Sequence, residues 1–213
     1  LCIGGSVAPA PPPVGAGPRA LEGNGSLGAG ESFSQGLELA EGRFVAFEVE
    51  QLEGDVAVEL IDPAGREVSR SDLPPSAWLN EVVAAVTQTP GLYQLRLRTP
   101  ASQAAARFGW RVAVERKARP ADTRLLAAMP DWLEGLRLKE VQSEGASSRA
   151  VELLRAARTE FEAAGAERWQ AEAERELGGL YRRRGETLNA RAALLQAVTL
   201  SRRAGDEQVV IKA

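Results

Sequence analysis

The apolar residues of this chain change period near residue 118, and that change limits what the chain can fold into more than any other feature. From about 31 to 117 they alternate, the period of half-buried strands. Val45, Phe47 and Val49 share one face. Val56, Val58 and Leu60 repeat the pattern, as do Tyr93, Leu95 and Leu97, and then Trp110, Val112 and Val114. Gly42, Gly54, Asp62-Pro63-Ala64-Gly65, Pro74-Pro75 and Pro90-Gly91 separate these runs with residues that fix φ or allow it to be positive. About seven or eight short strands with no helical stretch between them predict an antiparallel β-sandwich over 31–118.

From about 122 the period is helical. Asp122 or Thr123 is the expected N-cap of a first helix whose stripe runs Leu125, Leu126, Met129, Trp132, Leu133, Leu136 and Val141, with Pro130 kinking or restarting it. Ser147 or Ser148 is expected to cap a second helix carrying Ala150, Leu153, Leu154, Ala157 and Phe161 and ending near Gly165. A third runs from about Glu167 to the Gly185 stop, and a fourth from about Thr187 to Gly205. Short turns between helices predict antiparallel hairpins over 122–213. The polar segment 116–122, with Pro120, is the expected boundary between the two parts.

Composition removes several functions. The chain has no histidine and one cysteine, so it holds no Ser-His-Asp triad, Cys-His dyad, His-ligated metal or internal disulfide. Lys and Arg total 26 against 29 Asp and Glu, a balance that favours neither nucleic acid nor an anionic membrane as partner. No stretch approaches the roughly 18 to 20 apolar residues of a transmembrane helix. With aromatics at 5% and a single Met, the core must come from Leu, Val and Ala. No cofactor is expected.

Both ends read as cut. The opening Leu1-Cys2-Ile3-Gly4-Gly5-Ser6-Val7-Ala8-Pro9-Ala10 resembles the end of an export signal. It predicts an extracytoplasmic protein, periplasmic or secreted, with cleavage near Ala8-Pro9-Ala10, lipidation at Cys2, or a merely apolar N-terminus as the alternatives. Residues 1–30, rich in Pro and Gly beyond this run, are assigned as signal remnant and linker.

The helical part contains a repeat. Shifting the second helix by 40 residues matches Ala150 to Ala190, Leu154 to Leu194, Ala157 to Ala197 and Gly165 to Gly205. Leu177-Gly178, Tyr181, Gly185, Ala190, Leu194 and Ala197 resemble the small and large positions of a tetratricopeptide repeat. The usual first Trp and last Pro are absent. Taken with Gly42 through Gln51, Asp55 through Gly65 and Pro90 through Leu95, the order of parts resembles the N-terminal region of bacterial CHAT proteins. There a sandwich of the pre-peptidase C-terminal type precedes such repeats. The resemblance implies a caspase-like peptidase domain beyond residue 213, none of whose active-site residues maps onto this chain. It also implies that the first helix of each hairpin lines a concave face, which places Glu172, Arg175, Arg182 and Arg183 toward a peptide groove.

Other features read more plainly. Asp55, Asp62, Asp72, Glu53 and Glu59 lack the compact spacing of a Ca²⁺ loop and read as turn formers and solvated acids, so no metal site is assigned. Arg182-Arg183-Arg184 reads as a basic last helical turn, and Trp110 and Trp132 as core. Three functions remain. The first is a noncatalytic scaffold binding a protein, a peptide or a downstream domain. The second is a regulatory fragment of a CHAT peptidase, and the third a carbohydrate-active enzyme using paired carboxylates. The run 205–213 reads as the start of a further repeat, so self-association through the C-terminal end is also expected.

Overall fold

The computed structural model describes residues 22–73, 80–103 and 105–205. The export-signal run with Cys2, the Pro74-Pro75 turn and the C-terminal run after Gly205 lie outside these residues. Eight strands precede four helices: β1 (Glu22–Gly28), β2 (Ser32–Leu39), β3 (Arg43–Glu53), β4 (Ala57–Ile61), β5 (Glu67–Ser71), β6 (Glu81–Val86), β7 (Gly91–Arg98) and β8 (Ala105–Lys117). The helices are α1 (Pro120–Lys139), α2 (Glu144–Ala163), α3 (Glu167–Arg183) and α4 (Thr187–Ala204). The strands form two four-stranded sheets, ordered β1-β8-β3-β6 and β2-β7-β4-β5, with every pairing antiparallel.

Between the sheets lies the core that the alternation predicts, with Val45, Phe47, Val49, Val58, Leu60, Tyr93, Leu95, Leu97, Phe108 and Trp110 all buried. The first sheet is buried on its other face as well. Phe44 and Ala46 of β3 and Val82 and Ala84 of β6 pack with Leu125, Ala128, Met129, Trp132 and Leu136 of α1. That double burial explains why β6 is a continuous apolar run, Val82 to Val86, rather than an alternating one.

Three local expectations are corrected. The Gly-rich run placed in the linker is β1, which pairs along β8 from Glu22 opposite Arg111 to Gly28 opposite Ala105. Gly23 and Gly25 sit under the rings of Trp110 and Phe108, where a Cβ would come within 2.7 and 2.8 Å. The aromatic rings cover the positions that glycine leaves empty. Val114 does not share the face of Trp110 and Val112. A register shift between Ala46 and Phe47 skips Ala113 and turns Val114 toward the helices. In α1 the N-cap is Arg119, with Pro120 at the first helical position, and Asp122 is the third helical residue. The Asp122 carboxylate accepts from the Arg119 backbone N–H at 2.7 Å and from both Arg116 Nη atoms at 2.7 and 2.6 Å. Burial opposes that charge, but these donors hold its pKa below the usual range.

The helix ends follow simple rules. Ser143, rather than Ser147 or Ser148, caps α2 by accepting from the Ala146 N–H at 3.1 Å. Pro130 does not break α1. It lies on the exposed side, where the carbonyl its ring leaves unpaired can be solvated. Gly135 and Gly178 let the helices of each hairpin approach. A Cβ at Gly135 would come within 2.8 Å of Leu154, and one at Gly178 within 2.7 Å of Leu194.

Candidate functional site

The four residues assigned to a peptide groove all lie on α3, Glu172 and Arg175 in its first half and Arg182 and Arg183 at its C-terminal end. Glu172 and Arg175 lie one turn apart on α3, and Arg175 Nε and Nη2 donate to one Glu172 oxygen at 3.0 and 2.8 Å. Arg175 also pairs with Glu176, which accepts from Lys139 Nζ of α1 at 2.5 Å. Burial raises the Glu172 pKa against the pull of Arg175. Burial also opposes the Arg175 charge, but Glu176 and Glu172 hold that guanidinium above its ordinary pKa. Arg182 and Arg183 are exposed at the other end of the helix, and Arg183 donates to the Lys139 carbonyl at 3.1 Å, capping the end of α1. Arg184 completes the basic triplet by pairing with Glu186 at 2.7 Å.

Gly135 and Gly178 occupy equivalent places in the two hairpins, and that equivalence shows what α3 has done with its inner stripe. It brings Leu125, Met129 and Trp132 of α1 into register with Arg168, Glu172 and Arg175 of α3. The α1 stripe is apolar and lies under the first sheet. On α3 the same stripe is charged. At its start Arg168 donates to Glu48 of β3, which also accepts from Arg111 Nε and Nη2 of β8 at 2.9 and 2.6 Å. Glu48 is only 5% exposed, and the two guanidinium groups supply the partners that a buried carboxylate needs.

Next to that contact the outer face of the first sheet dips into a hollow of about 480 Å³, lined by Glu22, Asn24, Glu48, Glu50, Gly109 and Arg111. Gly109 leaves the floor of the hollow open by contributing no side chain to it. Glu22 and Glu50 are exposed here, and no cation pairs with either among the described residues. Neither belonged to the expected site. Glu50 could have been found from its place opposite Gly109, but only with the strand register known.

The remaining acids have local uses. Glu81 is fully buried, accepting from the Leu73 N–H at 2.7 Å and Gln51 Nε2 at 2.9 Å and bonded to Ser71 Oγ. Burial, with Asp72 and Asp55 nearby, pushes its pKa up to about 8. No substrate reaches a carboxyl in that position. Asp62 accepts from the Ala64 and Arg66 N–H groups at 2.9 Å, closing the expected turn. Glu59 is surrounded by Arg70, Arg96 and Arg98 at 3.6, 3.4 and 3.5 Å. Among the described residues no group of three metal-ligating side chains converges, and no helix is long and apolar enough to cross a membrane.

No protein-family model matches the chain, and no curated protein does. Among solved structures it is similar to the periplasmic inhibitor of g-type lysozyme, PliG, from Aeromonas hydrophila. That match has 10% identity and a TM-score of 0.38, and covers 45% of this chain and 84% of the other. PliG from Salmonella Typhimurium matches at 12% identity and a TM-score of 0.29, covering 42% and 84%. A de novo designed double-stranded β-helix matches at 18% identity and a TM-score of 0.28, covering 45% and 97%. The resemblance to CHAT proteins is therefore corrected. No family model of that kind, or of any other, matches the chain.

Proposed function

We propose that this chain is a noncatalytic protein-binding module that works outside the cytoplasm and presents the hollow on its first sheet to a cationic surface of a partner protein. The observation that carries the reading is the pair Glu22 and Glu50, two exposed carboxylates beside the hollow that form no ion pair among the described residues, although Arg111 stands opposite Glu22 and donates to Glu48. The wall next to them is held by the Arg111–Glu48–Arg168 contact, so the surface is set before a partner arrives and little ordering is required on binding. The helices are tetratricopeptide-like hairpins that hold this wall in place. The Gly135–Leu154 and Gly178–Leu194 contacts support that likeness. The leader-like composition of residues 1–10 supports the location.

Titration calorimetry with a short lysine-rich peptide tests the reading. Charge reversal by Glu22→Lys with Glu50→Lys is expected to abolish binding, and rising salt to weaken it in the unmodified chain. Binding that survives the double reversal removes the hollow as the interface.

A further inference from the structure

The outer face of α4 carries an apolar stripe that nothing covers among the described residues. Leu188 is 83% and Leu195 58% exposed, and Val198 is half-buried beside them. Their spacing of seven and three residues puts all three on one side of the helix. Arg191 lies between the two leucines and Arg202 one turn beyond Val198, and neither side chain meets a carboxylate among the described residues. Helix α4 holds three arginines and no acid, so the rim of the stripe is cationic.

The first hairpin shows what this face is shaped to meet. A Cβ at Gly135 would strike Leu154 and approach the Ala150 carbonyl, and one at Gly178 would strike Leu194 and approach the Ala190 carbonyl. These two close contacts superpose α2 on α4 at a shift of 40 residues. At that shift Leu188, Leu195 and Val198 take the places of Ser148, Arg155 and Arg158. Those are residues with which α2 holds α3. Ser148 Oγ accepts from Arg184 Nη1 at 3.4 Å, Arg155 Nε donates to Tyr181 Oη at 2.7 Å, and Arg158 Nη1 donates to Glu174 Oε1 at 3.3 Å. Helix α4 therefore repeats the helix-docking face of α2, with an aliphatic side chain in place of each polar one.

We propose that this face binds one helix of a partner protein, packed on α4 as α3 packs on α2. The partner helix sets an aliphatic stripe against Leu188, Leu195 and Val198 and acidic residues beside it against Arg191 and Arg202. In such a contact the buried aliphatic side chains supply the affinity, and the flanking charges select the partner and its orientation. The complement does not come from a second copy of this chain. Pairing α4 with α4 sets arginine against arginine, and among the described residues no other helix exposes a large apolar side chain. The face shares no residue with the sheet-side hollow, so the two readings stand or fall separately.

Fluorescence anisotropy on the full chain tests this with three labelled peptides of the length of α4, each acetylated and amidated. The first carries Leu along one helical stripe, Glu on both flanks and Ala elsewhere. The second has Lys for every Glu, and the third Ala for every Leu. The first peptide is expected to bind and the third is not. Leu195→Glu is expected to weaken the first by about tenfold or more, the loss of one buried leucine. Arg191→Glu with Arg202→Glu is expected to exchange the preference, losing the first peptide and taking the second, a gain that misfolding cannot produce. The series is repeated in the chain carrying Glu22→Gln and Glu50→Gln, where the sheet-side hollow no longer attracts the lysine peptide. Absence of binding by the first peptide overturns the proposal, as does wild-type affinity in Leu195→Glu or an unchanged preference after the double reversal. Dimerisation, or binding to vesicles of phosphatidylcholine and phosphatidylserine, that Leu195→Glu abolishes also overturns it, since the face then serves a second copy or a membrane.

Discussion

Glu81 shows how one side chain can couple this fold to pH. Its carboxyl is fully buried, and burial together with Asp72 and Asp55 pushes its pKa up from 4.5 to about 8. The folded chain therefore keeps a proton that the unfolded chain releases above its ordinary pKa. The stability contributed is full below about pH 4.5, falls as pH rises, and is lost once pH passes about 8, a change on the order of 3–5 kcal/mol. Glu81→Gln keeps an oxygen for the Leu73 and Gln51 donors and turns an amide N–H toward Ser71. Urea unfolding from pH 5 to 9 is expected to show the two proteins diverging as pH rises, with Glu81→Gln the more stable at pH 9. Parallel curves count against a protonated Glu81. The sequence pattern could not show this, since Glu81 opens an apolar run and looks like a polar strand end until Ser71 and Leu73 are brought to it.

Among the elements, adjacent glycines of α3 separate packing from propensity. A Cβ at Gly178 would stand 2.7 Å from Leu194 Cγ and Cδ2 and 3.4 Å from the Ala190 carbonyl, whereas at Gly179 nothing lies within 4 Å. Alanine improves helix propensity by about 1 kcal/mol at either position. At Gly178 the crowding of a packed helix pair costs about 1–3 kcal/mol and outweighs that gain. Gly178→Ala is therefore expected to lower the urea midpoint and Gly179→Ala to raise it. Shifts of the same sign contradict the close α3–α4 approach. The repeat was legible as matched residues of α2 and α4 at an offset of 40, and Gly178 as one of the small positions of the tetratricopeptide-like pattern. The charged stripe of Arg168, Glu172 and Arg175 was legible only as charge. Its meaning depends on the sheet covering the equivalent α1 stripe and not this one.

At the scale of the whole molecule, the sheets and helices share a core. Phe44, Ala46, Val82 and Ala84 pack in one cluster with Leu125, Met129, Trp132 and Leu136, and Arg116 reaches from β8 to Asp122 in α1. Separating the halves would expose both sides of that contact at roughly 25 cal/mol per Å² of apolar surface. Native-state hydrogen exchange is therefore expected to give amides of β3, β6 and α1 a common opening free energy. Exchange from α1 at a markedly lower free energy, with β3 still protected, would show that the helices open alone.

What the sequence determined by itself is the local geometry: the change from strand to helix near 118, the glycine stops at 165, 185 and 205, the Asp62 turn and the inward residues of most strands. Each follows from the backbone period or from a residue's own allowed φ, which neighbours a few positions away are enough to set. Tertiary structure alone decided the rest. Gly23 and Gly25 became a strand because Trp110 and Phe108 cover them from across the sheet, and Val114 changed face because β8 gains one residue against β3. Of the expected groove residues, Glu172 and Arg175 were tied to each other and Arg183 to the end of α1, while Glu22, Glu50 and Gln170 were brought to concave surfaces. Those outcomes depend on contacts between residues far apart in the chain, and no local period carries information about which distant surface will cover a side chain and which will leave it open.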